Sequence, residues 1–271
     1  MNEVKELKKK IFLTAYKAGS AHLASAFSVI DVLYVLYCKP ILTYDVKNPW
    51  MKSRDRLIMS KGHACLALYV ILNKVGMIRD EELESFCQPG SHLGGEPKMG
   101  SMPGIEASTG SLGHGLPFAV GVAMACKMNG YNNRIYVVIG DGECQEGTIW
   151  EAVMAAVRFK LDNLVVIMDD NRFQAMDSVE EIMGVSSWRE RWEAFGFEVE
   201  EINGHDLNEI ETTLKRNNKF EKPRLIISHT IKGNGVSFME GIPIWHYRMP
   251  NEEELEIVKK ELGILEKELI K

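Results

Sequence analysis

Two polar runs stand where the chain leaves predicted β-strands. A Gly-Asp-Gly run at 140–142 follows the apolar run 134–139, and an acidic run that ends in Asn171 follows the apolar run 163–168. A helix that connects two parallel strands brings both strand ends to the same edge of the sheet, so Asp141 and Asn171 should lie close together. One carboxylate and one amide oxygen suit Mg²⁺, which completes its shell with water and phosphate oxygens.

The glycines on either side of Asp141 would let the backbone approach a diphosphate closely, because Gly140 and Gly142 carry no side chain. Taken alone, the run is more typical of a plain turn at the end of a strand. The presence of Asn171 one strand–helix–strand unit later favours a metal and diphosphate site, since open α/β sheets bind ligands at this edge.

An alternating pattern of helices and strands must position these residues. Nearly continuous apolar strands are predicted at 134–139, 163–168, 197–202 and 224–229, with helical periodicity between them. Such strands are typical of a parallel sheet that is covered on both faces. We therefore predict a doubly wound α/β fold with a mostly parallel sheet, built as one domain over residues 1–271.

Capping residues predict where three of the helices begin. The second helix should start at Ser28, and the helix after the Gly-Asp-Gly run should start with a capping box of Thr148 and Glu151. A C-terminal helix is predicted over about 251–270, with Asn251 as its N-cap.

The bulk composition excludes several classes of protein. The chain has 271 residues, of which 45% are hydrophobic and 26% charged, and its formal net charge of −6 does not favour a nucleic-acid partner. No apolar run is long enough to span a bilayer, and the N-terminus lacks a signal-peptide core. Five widely spaced cysteines predict neither a disulfide framework nor a zinc site, so we expect a cytoplasmic protein.

Several motifs of the chain resemble the transketolase family and occur in the family's order over about nine-tenths of the chain. The motifs are Gly19-Ser20-Ala21-His22, Ser60-Lys61-Gly62-His63-Ala64, the glycine-rich run 104–115, the run 140–147 closed by Asn171, and the segment from Lys232-Gly233-Asn234-Gly235 through Trp245-His246. The fold implied by the resemblance is the thiamine-diphosphate-binding fold, and the chain would be its diphosphate-binding domain.

The resemblance implies that the cofactor is thiamine diphosphate, held with Mg²⁺ or with Ca²⁺ or Mn²⁺. The metal ligands would be Asp141, the side chain of Asn171 and the backbone carbonyl of Phe173. The implied cofactor-binding residues are His63, Gly110, Leu112, Gly140, Gly142, Glu146, Asn171 and His246. Among them, Glu146 resembles an acid at the contact between subunits.

The implied catalytic residues are His22, His63, His246 and Glu96. Histidine suits hydroxyl recognition and proton transfer near neutral pH, and His22 resembles a residue that faces the hydroxyls of the sugar. His114 also lies in a matched motif and receives a functional interpretation. Taken singly, each histidine is more often a surface or core residue, which is our interpretation of His205 and His229.

Two positions depart from the family's pattern. Counting back from the glycine-rich run places Glu96 where the family has a substrate-facing histidine, and Asn234 replaces a more usual lysine. An ionised carboxylate accepts hydrogen bonds but cannot donate them, so we expect a modified sugar from a specialised pathway as the substrate. Alternatively, Glu96 points to solvent and His92 or a water fills the gap.

The implied enzyme transfers a two-carbon ketol unit from a ketose or ketose phosphate donor to an aldose acceptor. The missing pyrimidine-binding domain would come from a C-terminal transketolase subunit in an α2β2 heterotetramer, without nucleic acid or membrane partners. Two other functions remain open. One is a subunit of a decarboxylating thiamine-diphosphate enzyme, similar to deoxyxylulose-phosphate synthase or a 2-oxo acid dehydrogenase. The other is a non-catalytic, cofactor-binding regulatory chain.

Overall fold

A computed structural model of the protein describes residues 3–19, 22–184, 187–216 and 221–269. Ser20 and Ala21 of the His22 motif, and residue 270 of the predicted C-terminal helix, lie outside the described residues. No helix in the described part is both long and apolar enough to cross a bilayer.

Within these residues, five parallel strands form one sheet. They are β1 (Arg56–Met59), β2 (Ile135–Gly140), β3 (Leu164–Asp170), β4 (Glu198–Asn203) and β5 (Arg224–His229). Their order across the sheet is β1-β2-β3-β5-β4, and every neighbouring pair is parallel. All residues of β2 and β3 are buried, as expected for strands with helices on both faces.

Helices connect the strands. They are α1 (Glu3–Ala18), α2 (Leu23–Cys38), α3 (Cys65–Lys74), α4 (Asp80–Glu84), α5 (Gly115–Met128), α6 (Gly147–Arg158), α7 (Val179–Met183), α8 (Trp188–Phe195), α9 (Leu207–Lys215), α10 (Glu252–Leu262) and α11 (Glu266–Leu269). Single 3₁₀ turns at 62–64, 142–145 and 243–246 lie where the chain approaches the carboxyl edge of the sheet.

Alternate residues of each strand pack into two separate cores. Val138 and Ile167 contribute to the core under α1, α2, α3 and α9, whereas Val137 and Val166 contribute to the core under α5, α6 and α8. Burying one aliphatic side chain contributes about 1.5–3 kcal/mol to folding. Because both faces of each strand carry such side chains, both faces of the sheet must be covered by helices. The predicted doubly wound α/β fold with a parallel sheet is confirmed.

The carboxyl ends of β2 and β3 lie side by side, because Gly140 pairs with Asp169 in the parallel register. Just beyond this pair, the backbone N–H of Arg172 donates to Asp141 Oδ2 at 2.6 Å. The prediction that these two strand ends converge is therefore confirmed.

Two predicted helix starts are wrong, since both hydroxyls serve tertiary contacts instead. The helix α2 begins at Leu23, and Ser28 lies inside it, where its hydroxyl donates to Ser25 O at 3.0 Å and to Asp169 Oδ2 at 2.7 Å. The helix α6 begins at Gly147, and Thr148 Oγ1 donates to Gly113 O at 2.9 Å rather than forming a capping box.

The predicted C-terminal helix over 251–270 is divided into two. Asn251 caps α10 in a reciprocal capping box with Glu254, as the sequence predicts. The helix then ends at Gly263, which adopts the left-handed conformation with φ of 71°. Glycine adopts this conformation without the steric cost that a Cβ atom brings, and it is therefore a common helix terminator.

Candidate functional site

A cavity of about 300 Å³ opens at the carboxyl edge, between the ends of β2 and β3 and the segments that follow β1 and β5. All but one of the site residues predicted from the sequence line it. These are His22, His63, Glu96, Gly110, Leu112, Gly140, Asp141, Gly142, Asn171, Phe173 and His246. The cavity thus collects residues from every motif that the sequence analysis singled out.

Two residues to which the sequence analysis gave a functional interpretation lie outside the lining of this cavity. Glu146 is exposed at the N-cap of α6. His114 is exposed at the N-cap of α5 and makes no capping hydrogen bond through its side chain. The structure therefore gives no support to a role for His114 in the cavity, and Glu146 faces solvent instead of the pocket.

One end of the cavity is rich in buried carboxylates. Asp141 accepts hydrogen bonds from the backbone N–H groups of Gly142 at 2.8 Å and Arg172 at 2.6 Å. Burial, followed by the charges of neighbouring Asp170 and Asp169, raises the pKa of Asp141 to about 7. A cation at this end would offset that unfavourable burial of negative charge.

The donor set at this end fits a divalent ion that shares its shell with a diphosphate. Asn171 Oδ1 accepts a hydrogen bond from the backbone N–H of Phe173 at 3.1 Å. The side-chain oxygen of Asn171 therefore lies beside Phe173, whose backbone carbonyl is the third predicted ligand. Within the described residues, no group of three His, Cys, Asp or Glu side chains forms a complete metal cage. Mg²⁺ tolerates such sparse ligation, because diphosphate oxygens and water complete its octahedron. Asp141, Asn171 and the Phe173 carbonyl would hold it.

Two buried lysines supply positive charge beside this end. Lys61 follows β1 and forms an ion pair with Asp169. Lys232 donates to Gln174 O at 2.8 Å and approaches Phe173 O at 3.4 Å. Burial, and then the charge of Lys61, lowers the pKa of Lys232 to about 8, so most of it is protonated at neutral pH. Such charges attract a diphosphate.

Three histidines form the other end of the cavity. The ring centroids of His22, His63 and His246 are separated by 5.6, 5.6 and 5.3 Å. Burial lowers the pKa of all three, and Lys232 helps to lower that of His246 to about 4. All three imidazoles are therefore neutral at physiological pH, and each can both donate and accept a hydrogen bond.

The orientation of His246 is set by Lys232, whose Nζ lies 3.1 Å from His246 Nδ1. An ammonium group can only donate, so Nδ1 must accept and the ring proton resides on Nε2. His246 therefore offers an N–H donor from its free edge, in a position fixed by a buried charge.

Glu96 enters the cavity although the residue as a whole is exposed. Its carboxyl tip packs so closely on Gly62 that a Cβ added there would meet Glu96 Oε2 at 2.3 Å. Burial raises the pKa of Glu96 to about 7. The acceptor-only behaviour that we expect of the ionised carboxylate therefore applies above neutral pH, whereas a protonated Glu96 can also donate.

His92, the proposed substitute for the missing histidine, is exposed and does not line the cavity. Asn234, the second departure from the family's pattern, does not line it either. Its amide oxygen accepts a hydrogen bond from the buried Lys8, which also forms an ion pair with Asp31 at 3.5 Å. The prediction that Asn234 alters the substrate site therefore loses its basis, since the residue serves packing between α1 and the segment after β5.

Sequence reasoning missed five residues that line the cavity: Ser25, Lys61, Glu143, Gln174 and Ala175. Glu143 accepts from Ser60 Oγ, Gly113 N and Gly140 N, so one buried carboxylate joins three segments. A signal was available for Lys61 and Glu143, because each is a charged residue that closely follows a buried apolar strand. The residues that pair with these charges are distant in sequence, so the sequence does not identify them.

The fold and the cavity define an α/β protein with a polar cavity at the carboxyl edge of its sheet, which would suit a phosphate-bearing ligand. One end would bind a cation with the diphosphate, and the histidine end could hydrogen-bond a hydroxylated molecule. The family of the transketolase thiamine diphosphate binding domain matches residues 7–270. The chain therefore belongs to the transketolase family, of which it comprises that domain.

Similar proteins agree with this assignment. An apulose-4-phosphate transketolase subunit of Phocaeicola vulgatus is 44% identical, over 94% of this chain and 91% of that protein. A 6-deoxy-6-sulfo-D-fructose transketolase subunit of a Clostridium species is 39% identical, over 93% of this chain and 90% of that protein. The transketolase structure from Campylobacter jejuni is 35% identical with a TM-score of 0.88, covering 97% of this chain and 43% of that one.

Proposed function

We propose that this chain is the N-terminal subunit of a two-chain transketolase, and that it binds thiamine diphosphate with Mg²⁺ as one diphosphate-binding domain over residues 1–271. The observation that carries the proposal is the cavity at the carboxyl edge, which a sparse metal-ligand set and three neutral histidines line together. The two relatives named as transketolase subunits match the chain over nearly their whole length, which supports the two-chain arrangement.

The cofactor, when bound, supplies the electron sink for breaking and forming the bond next to a ketose carbonyl. The chain supplies position and proton transfer. Asp141 and Asn171 would hold the cation, and Lys232 would add positive charge beside it. His22 and the Nε2–H of His246 would hydrogen-bond the sugar hydroxyls, and the free ring nitrogen of a neutral imidazole can accept a proton there and later return it.

The remaining parts of the enzyme would come from a C-terminal subunit that carries the pyrimidine-binding domain. We propose an α2β2 heterotetramer, with Glu146 at a contact between subunits because its exposed side chain lies beside the glycine-rich segment. Five free thiols support a reducing compartment, the cytoplasm, as the place of action.

The donor that we propose is a modified ketose or its phosphate. Two similar proteins are named for apulose 4-phosphate and for 6-deoxy-6-sulfo-D-fructose. In this chain, Glu96 introduces a carboxyl group with a pKa of about 7 into the cavity. A group that changes between donor and acceptor near neutral pH would suit a sugar with a different hydroxyl pattern from xylulose 5-phosphate.

Reconstitution tests the proposal. The chain alone should show negligible ketol transfer, and mixing it with its C-terminal subunit, thiamine diphosphate and Mg²⁺ should restore transfer from at least one ketose phosphate to an aldose. Sedimentation should give two copies of each chain. Robust turnover by the purified chain alone, or decarboxylation of 2-oxo acids without ketol transfer by the complex, would refute the proposal.

A further inference from the structure

Tyr247 places an exposed aromatic ring beside the histidine end of the cavity. Its ring centroid lies 4.7 Å from that of His22, closer than any two of the three histidine rings are to each other. The residue is 64% exposed. Within the described part of the chain, its hydroxyl group has no hydrogen-bond partner.

The segment that carries Tyr247 is held on both sides, so the ring is not simply a loose surface group. The preceding Trp245 is buried and packs on Phe238 with 4.9 Å between ring centroids. The following Arg248 stacks over Trp245 at 4.3 Å and donates to both carboxylate oxygens of Glu254, at 2.9 and 2.8 Å. Both bonds come from the same guanidinium nitrogen, Nη2, and charge-assisted hydrogen bonds of this kind help to hold the segment in place.

An aromatic ring held at the mouth of a polar cavity offers two kinds of contact. Its face is a rigid apolar wall for the carbon side of a sugar, and its hydroxyl can donate to or accept from a sugar hydroxyl. Ligand sites commonly combine such a wall with a few directed polar groups, here His22 and His246.

We propose that Tyr247 contacts the ketose substrate outside His22 and determines which substituents the enzyme accepts at that end. The inference rests on the proposed function, because it requires that a sugar reaches the histidine cluster. The alternative is that the C-terminal subunit covers the Tyr247 ring. A subunit contact predicts that substitution of Tyr247 weakens assembly, whereas a substrate contact predicts that assembly is unchanged.

The test compares Tyr247→Ala and Tyr247→Phe in the reconstituted enzyme, with Tyr131→Ala as the matched control. Tyr131 is a partly exposed tyrosine, 38% accessible, between α5 and β2 and away from the cavity. The donors are xylulose 5-phosphate, fructose 6-phosphate, apulose 4-phosphate and 6-deoxy-6-sulfo-D-fructose. We measure kcat and KM for each, the affinity for thiamine diphosphate by calorimetry, and assembly by sedimentation.

We expect Tyr247→Ala to raise KM for the preferred donor about five- to tenfold with little change in kcat, and to change the order of preference among the donors. Tyr247→Phe should give a smaller rise, and Tyr131→Ala none. Cofactor affinity and assembly should stay as in the parent.

Two results would overturn the inference while leaving the proposed function intact. One is an unchanged KM and donor order in Tyr247→Ala, and the other is a loss of assembly, which would assign the ring to the subunit contact. If the parent complex transfers a ketol unit from none of the donors, the proposed function itself fails, and the inference fails with it.

Discussion

At the scale of single residues, buried charged side chains dominate the candidate site. Three aspartates lie at the ends of β2 and β3, and Lys61 neutralises Asp169 directly. Burial alone would raise the pKa of Asp169, but Lys61 and two hydroxyl donors hold it below its usual range. Asp141 forms no ion pair with a cationic side chain among the described residues, and a bound cation would favour its ionised form.

Glu96 is the residue whose substitution should best reveal the substrate. Glu96→His should raise kcat/KM for xylulose 5-phosphate about tenfold in the reconstituted enzyme, because a neutral imidazole keeps a donor and an acceptor at pH values where the ionised Glu96 carboxylate only accepts. It should lower activity on the preferred modified donor. Steady-state rates with both donors provide the measurement. Equal rates of the mutant and the parent on xylulose 5-phosphate would remove Glu96 as the selectivity element.

The matched control is Glu96→Gln, which keeps the size of the side chain and can donate at every pH. With a pKa of about 7, the parent carboxyl is protonated below neutrality and loses its donor as the pH rises. The ratio of the variant's activity to the parent's should therefore change between about pH 6 and about pH 8. A constant ratio would mean that the carboxyl proton plays no part.

Some of these residues could be predicted from the sequence, and others could not. Asp141 and Asn171 follow from parallel strand ends, a rule that needs only local pattern. The contacts of Glu143 and Lys232 instead join segments that are far apart in the chain. Glu143 bonds Ser60, 83 residues away, and Lys232 bonds Gln174, 58 residues away. Sequence periodicity carries no information on such contacts.

At the scale of elements, strands are easier to predict than helix starts. The strand β5 begins and ends at the predicted positions, 224 and 229, and its central residues Leu225, Ile226 and Ile227 are apolar and buried, as helices on both faces require. The start of α2 is hard to place because the helix is buried along nearly its whole length. No amphipathic stripe marks it, and Ser28 serves Asp169 instead of a helix end.

Two glycines of helix α5 test whether the helix must pack closely on the segment after β1. A Cβ added at Gly115 would meet the Cα of Ser60 at 2.6 Å, whereas one added at Gly121 in the same helix meets nothing within 4 Å. Gly115→Ala should therefore lower the free energy of unfolding by about 1–3 kcal/mol, as overpacking does. Gly121→Ala should raise it by about 0.5–1 kcal/mol, because alanine favours the helix.

Chemical denaturation of the isolated chain measures both effects. Both glycines lie in α5, so the higher helix propensity of alanine acts in both variants. A loss of stability in Gly115→Ala alone would therefore come from its crowded surroundings. If Gly115→Ala is as stable as the parent, the close packing of α5 on the segment after β1 is not a constraint on the fold.

At the scale of the whole molecule, the chain is a domain with a site at one edge and most of its buried charge arranged around it. It spans 43% of the transketolase chain from Campylobacter jejuni, and the Tyr247 ring beside the histidine end of its cavity is exposed. The proposed two-chain arrangement rests on the resemblance, whereas the position of Tyr247 beside His22 required the tertiary structure.

The most direct test of the account is calorimetric titration of thiamine diphosphate into the complex of this chain with its C-terminal subunit. Binding should be saturable with Mg²⁺ present, should weaken strongly when EDTA removes the metal, and should be lost in Asp141→Ala. The physical reason is that Asp141 is a buried carboxylate of the cavity whose negative charge is not paired with a cationic side chain among the described residues. Unchanged affinity in Asp141→Ala, or equal affinity with and without a divalent ion, would contradict the assignment of this cavity as the cofactor site.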